Sequence, residues 1–101
     1  MDRMSRWLGK WELSSHVQQR IQQRGVNFEA LGVVLEFGRR EHSNGAYTCF
    51  MDKRSRQKAK MELGEVAYRR ICDRLNFYAI VALDRPFVIT VAYQTRRRKA
   101  A

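Results

Sequence analysis

The sequence FYAIVALDRPFVITVAY at residues 77–93 contains two apolar runs, 77–83 and 87–93, on either side of Asp84-Arg85-Pro86. Both runs are rich in β-branched and aromatic residues, which favour strands, and the break between them has the composition of a turn. The stretch therefore predicts an antiparallel hairpin at the centre of a sheet. The upstream segments are expected to supply the helices that cover one face of that sheet.

Two helices with a very short connection are predicted between residues 15 and 38. Ser15 and Gln18 have the spacing of a capping box, and Gly25 marks the end of the first helix. Asn27 is a second N-cap, and the apolar period that follows it continues until Gly38. These signals predict a helical hairpin.

The remaining elements are a second strand pair and a third helix. Asn44-Gly45 is a strong hairpin signal within residues 39–51. Residues 54–75 repeat apolar positions at helical spacing despite Gly64, with a largely basic opposite face. The expected order is ααββαββ, an α+β fold in which a helical hairpin and a third amphipathic helix pack on a four-stranded antiparallel sheet. We expect one domain over residues 1–101, with an N-terminal segment at 1–13 and a basic tail at 96–101.

Charge is the most informative compositional feature. The 101 residues include 20 Lys and Arg against 10 Asp and Glu, for a net charge of +10, and the 45% apolar content is too high for a disordered basic tail. Residues 39–101 carry fifteen of the cations and six of the acids. Such an excess suits a polyanion, because each phosphate contact releases counterions. A docking face for an acidic protein and a simply solvated surface are the alternatives.

Two cysteines, Cys49 and Cys72, stand without neighbouring Cys or His at metal-ligand spacing, so neither a zinc site nor a disulfide framework is indicated. No cofactor or metal is expected. The sequence also has neither a signal-like opening nor an apolar run of the roughly 18 residues that a membrane span requires. We expect a cytoplasmic protein with reduced thiols and no membrane partner.

His16, Arg20 and Arg24 are spaced by four and form one stripe along the edge of the apolar face of the first helix. The positive end of the helix favours the neutral imidazole that a general base needs, and two guanidiniums can grip a phosphate. The alternative is structural, namely a packed histidine beside ordinary surface arginines.

A strand that leads into a basic loop suggests a binding surface. Tyr47 precedes Lys53, Arg54 and Arg56, so aromatic stacking and phosphate contact become available together, as in recognition of RNA or single strands. The candidate nucleic-acid-binding residues are Tyr47, Lys53, Arg54, Arg56, Lys58, Lys60, Arg96, Arg97 and Arg98.

Residues 15–26, SHVQQRIQQRGV, resemble the H-x3-R-x3-R-G signature of an uncharacterised family of small bacterial proteins that is usually placed near the RelE and BrnT toxins. The resemblance extends over roughly residues 14–94. It implies a RelE-like α+β domain and a metal-independent ribonuclease. In that ribonuclease His16 would be the general acid/base, and Arg20 and Arg24 would be phosphate clamps. The long basic helix at 54–75 departs from compact toxins.

Two functions therefore stay open. The first is a basic module of a phage or mobile element that binds nucleic acid, with RNA favoured, or a nucleoprotein complex, and acts as an inhibitor or accessory protein. The second is a RelE-like endoribonuclease toxin, whose natural partner would be an acidic antitoxin.

Overall fold

A computed structural model describes residues 9–93 of the chain. Within that range no helix has the length and apolarity needed to cross a membrane. The strands are β1 (Glu12–Leu13), β2 (Arg39–Ser43), β3 (Ala46–Phe50), β4 (Phe77–Ala82) and β5 (Phe87–Tyr93); the helices are α1 (Ser15–Arg24), α2 (Phe28–Phe37), α3 (Lys53–Leu63) and α4 (Glu65–Ile71), and a 3₁₀ turn follows at Cys72–Arg74.

The five strands form one mixed sheet in the order β1-β5-β4-β3-β2. The prediction of an α+β fold is confirmed, but the four-stranded antiparallel sheet was wrong, since β1 adds a fifth strand parallel to β5. A two-residue strand is too short to show any sequence period. It is defined by backbone pairing, in which Glu12 N–H donates to the Pro86 carbonyl at 2.9 Å and Ser14 N–H donates to the Val88 carbonyl at 3.2 Å.

Both predicted hairpins are present. Asn44 and Gly45 form the β2–β3 turn with φ values of 52° and 75°, as a two-residue turn of this hand requires. Strands β4 and β5 pair as expected, with a register shift beside Ile80. The shift leaves Ile89 as an extra residue on β5, a bulge that locally alters the strand direction.

The core lies between one face of the sheet and the helices. Along β4, Phe77, Ala79 and Val81 are buried and alternate with half-buried residues. Helix α1 packs on β5 and β1, and α2 packs on β3 and β4. Because their buried residues join one continuous cluster, both helices cover the same face.

The start of α1 differs by one residue from the prediction that Ser15 is its N-cap. Ser14 is the cap: its Oγ accepts a hydrogen bond from Val17 N–H at 3.0 Å and donates one to the Ile89 carbonyl at 3.0 Å. The backbone hydrogen bond from Ser14 N–H to the Val88 carbonyl holds the Ser14 hydroxyl beside the Val17 amide and the Ile89 carbonyl. Gln18 instead donates to the Leu13 carbonyl. The predicted cap of the second helix is confirmed, since Asn27 Oδ1 accepts a hydrogen bond from Ala30 N–H at 3.0 Å.

The single helix predicted over residues 54–75 was also wrong. Gly64 adopts a φ of 89°, which an L side chain rarely tolerates, and there α3 ends and α4 begins. In a straight helix, residues 56 and 72 would lie about 24 Å apart along the axis. Here Arg56 Nη1 donates to the Cys72 carbonyl at 3.0 Å, so the chain turns back on itself, while α3 lies against α2.

The assignment of Ser14 as the cap predicts that Ser14→Ala lowers the free energy of unfolding by about 0.5–2 kcal/mol, because an amide of the first turn loses its acceptor. Ser15→Ala is the matched control and is expected to change the stability by less than about 0.5 kcal/mol, since the Ser15 side chain is exposed and makes no hydrogen bond within residues 9–93. Urea unfolding of both variants measures the difference. A larger loss in Ser15→Ala would contradict the assignment.

Candidate nucleic-acid interface

Helix α3 begins at a strong cap. Asp52 accepts hydrogen bonds from Ser55 N–H at 2.8 Å and from Ser55 Oγ–H at 2.7 Å. These two bonds are the main reason why the pKa of Asp52 lies below its ordinary value, and Arg39, with Nη1 3.6 Å from the carboxylate, adds to the effect. The cap fixes the direction in which α3 leaves β3.

The buried side of α3 is narrow. Ser55 and Ala59 are its only buried residues, and α2 is the helix against which it packs. Small side chains there let the two helices approach closely. Arg56 and Leu63 are half-buried beside them, and the remaining circumference of α3 is exposed to solvent and carries its charge.

Four of the predicted cations share this exposed surface: Lys53, Arg54, Lys58 and Lys60. Within residues 9–93 none of them makes a salt bridge or a side-chain hydrogen bond. Helix α3 contains a single acidic residue, Glu62. We call Lys53, Arg54, Lys58 and Lys60 the basic face of α3. Uncompensated, solvated cations on a fixed helix are suited to contact phosphates.

The structure places two predicted binding residues elsewhere. Arg56 is half-buried, and its bond to the Cys72 carbonyl ties α3 to the 3₁₀ turn. Tyr47 is half-buried against the core, with its ring edge-on to His42 at a centroid distance of 5.9 Å. Neither side chain belongs to the basic face. Arg96, Arg97 and Arg98 lie outside the described residues.

Sequence reasoning missed three further cations beside α3, namely Arg69, Arg70 and Arg74. All three are exposed, and the reversal at Gly64 brings their segment back alongside α3. Arg69 pairs with Glu65 at 3.8 Å on the solvent-exposed surface, an i,i+4 contact of little energetic weight. The glycine inside an amphipathic pattern was the one available signal. The prediction of one continuous helix through Gly64 placed Arg69, Arg70 and Arg74 far along the axis from the cations at residues 53–60.

The predicted catalytic stripe is formed in part. Arg20 Nε–H donates to His16 Nε2 at 3.1 Å, on the exposed side of α1. Nε2 is the acceptor in this bond, so the lone pair that a general base would use there is already engaged. Arg24 is the last residue of α1, and its side chain lies outside the described part of the structure.

The two candidate sites stand on different elements. Helix α1, which carries His16 and Arg20, covers β5 and β1, whereas the basic face belongs to a helix packed on α2. The structure therefore joins His16 to Arg20 but does not join this pair to Lys53 or Arg54 by any hydrogen bond within residues 9–93.

Cys49 is a core residue. Its thiol is fully buried, and burial raises its pKa more than the nearby Arg40 guanidinium lowers it. Arg40 itself donates to the Leu35 carbonyl at 3.4 Å and lies 5.6 Å from the Trp11 ring centroid, which gives it a packing role. Among residues 9–93 no cluster of three or more His, Cys, Asp or Glu side chains is arranged to hold a metal ion.

No family model, curated protein or solved structure matches the chain.

The Asp52 cap predicts a pH dependence. A carboxyl with a lowered native pKa stabilises the fold above its unfolded pKa of about 3.9, and that contribution is lost as the pH falls through the native pKa. Asn keeps an acceptor at the cap but does not titrate. The free energy of unfolding of Asp52→Asn should therefore fall less steeply than that of the wild type when urea unfolding is followed below about pH 4.

Asp84→Asn is the matched control, because it removes an exposed carboxylate that accepts no hydrogen bond within residues 9–93. Equal pH profiles for the two variants would contradict the role assigned to Asp52.

Proposed function

We propose that this protein is a nucleic-acid-binding module, with the basic face of α3 as its contact surface. One observation carries the proposal: four exposed cations, unpaired within residues 9–93, lie on a helix whose opposite side is fixed against α2. The excess over residues 53–74, with eight Lys and Arg against three Asp and Glu, gives that surface a positive field. A structural role alone does not require so many uncompensated charges on one helix.

The proposal concerns phosphate chemistry, which RNA, DNA and nucleoprotein complexes share. The preference for RNA depended on Tyr47 stacking beside the cations, and Tyr47 packs against the core instead. Four phosphate contacts correspond to a slope of log K on log salt of about −3.6 for duplex DNA and about −2.8 for a single strand. A role as an inhibitor or accessory protein of a phage or mobile-element complex would use the same face.

The binding function predicts that Lys58→Gln/Lys60→Gln weakens association with a duplex probe and makes the salt slope shallower by about 2, because two counterion-releasing contacts are lost. Fluorescence anisotropy between about 50 and 200 mM salt measures both quantities. The control is Lys10→Gln/Arg85→Gln, which removes the same net charge at exposed positions outside α3. Equal losses in the two double variants would show that net charge alone drives binding and would contradict a defined face.

A second function, ribonuclease activity, is supported by the placement of a guanidinium beside a potential acid/base, Arg20 beside His16 on α1. The resemblance to RelE-type toxins implies a RelE-like arrangement with His16 as general acid/base and with Arg20 and Arg24 as phosphate clamps. The acidic partner would then be an antitoxin. For this chemistry Arg20 must move from His16 Nε2 to a substrate phosphate, which frees the lone pair for the ribose 2′-hydroxyl. Because it requires this displacement, the ribonuclease is less favoured by the structure than the binding function.

The ribonuclease function predicts cleavage of total bacterial RNA in the presence of EDTA that falls by about 10²–10⁴-fold in His16→Ala, because the acid/base is lost. His42→Ala is the control, since His42 lies on β2 and not on α1. Gel analysis gives the cleavage, and circular dichroism verifies that both variants are folded. RNA left intact by the wild-type protein would contradict this function and leave the binding function standing.

A further inference from the structure

We propose that α3 is a recognition helix that enters the major groove of B-form DNA, with Gln57 and Met61 at the base edges and the basic face on the flanking phosphates. The inference rests on the proposed binding function and names its ligand class. It follows from how the side chains are distributed around α3.

The cations of α3 form two rims with a gap between them. At about 100° per residue, and with Lys53 set to zero, Lys60 lies at about −20° and Lys53 at 0°, whereas Arg54 and Lys58 lie at about 100° and 140°. The buried Ser55 and Ala59 lie at about 200° and 240°, which is the side packed on α2. The basic face is therefore bipartite, with cations on both sides of a central strip.

Gln57 and Met61 occupy that central strip. They lie at about 40° and 80°, one helical turn apart. The side-chain amide of Gln57 is exposed and makes no hydrogen bond within residues 9–93. Met61 is 82% exposed, the highest value among the exposed large hydrophobic residues of the described chain. A simple polyelectrolyte surface has no use for an exposed thioether between its cations.

These two side chains fit the chemistry of base edges. A Gln amide can pair with the N6 and N7 atoms of adenine, and an apolar side chain can contact the methyl group of thymine. The rims are then placed to contact the phosphates of the two strands that border the groove. The arrangement separates contacts that read sequence from contacts that only position the helix.

The length and width of α3 fit the major groove of B-form DNA better than that of A-form RNA. Its 11 residues span about 16 Å, or about five base-pair steps, and a major groove about 12 Å wide admits one helix. The deep and narrow major groove of A-form RNA does not admit one. The turn at Gly64 also matters, because it ends the helix one turn after Lys60 and diverts the chain back toward the core.

The test starts from a duplex DNA library with a randomised core of about ten base pairs, one helical turn. The sequence enriched by the full-length wild-type protein is then compared with an unenriched DNA duplex, with the same sequence as an RNA duplex, and with its single strand. We expect the enriched DNA duplex to bind at least about tenfold tighter than each of the others.

Two variants separate the rims from the central strip. Gln57→Ala/Met61→Ala should lose most of the preference for the enriched duplex, about 5- to 150-fold, while the salt slope stays at its wild-type value. Lys58→Gln/Lys60→Gln should weaken the enriched and unenriched duplexes alike and make the slope shallower by about 2. Gln22→Ala, an exposed glutamine of α1, is the matched control and should change neither quantity. Circular dichroism verifies folding of every variant.

The inference is overturned when no sequence is enriched, when the RNA duplex or the single strand binds as tightly as the DNA duplex, or when Gln57→Ala/Met61→Ala keeps the preference. In each of these cases, salt-dependent binding that requires Lys58 and Lys60 still supports the proposed function. Absence of binding to every probe would refute the inference and the proposed function together.

Discussion

The alternation along β4 is the constraint on which the rest of the structure depends. Phe77, Ala79 and Val81 point to one face at the centre of the sheet, and that face is stable only when it is removed from water. Helices α1 and α2 supply the cover, and the cap at Ser14 joins the first of them to the bulge in β5. Because α1 and α2 cover this face of the sheet, α3 packs against α2 and not against the sheet.

The position of α3 explains how a small domain keeps so many cations exposed. A helix in the main layer would bury a broad apolar stripe. Helix α3 buries only Ser55 and Ala59, and Arg56 and Leu63 beside them are half-buried. The remaining circumference is free to carry charge, and the cap at Asp52 together with the bond from Arg56 holds the helix in place. The side of α3 that stabilises the fold thus differs from the side to which we assign binding.

Much of the fold could be predicted because its signals are local. The Asn44-Gly45 turn, the two apolar runs after residue 76 and the Asn27 cap each depend on residues close in sequence, and each is present in the structure. The strand at Glu12–Leu13 could not be predicted, since its partners lie about 75 positions away and it is too short to show a period. The same holds for the cap at Ser14, whose hydroxyl bonds to the Ile89 carbonyl.

The candidate site also has features that local sequence predicts and features that depend on tertiary packing. The sequence by itself determined the density of cations over residues 53–60 and their placement on a helix, because charge and helical period are both local properties. Only the tertiary structure decided which of the predicted side chains remain available, since Arg56 is half-buried and bonded to the Cys72 carbonyl and Tyr47 packs against the core. The turn at Gly64 also brings the segment that carries Arg69, Arg70 and Arg74 back toward α3. Periodicity specifies the face of a helix, whereas the packing partners of that helix specify what the face can bind.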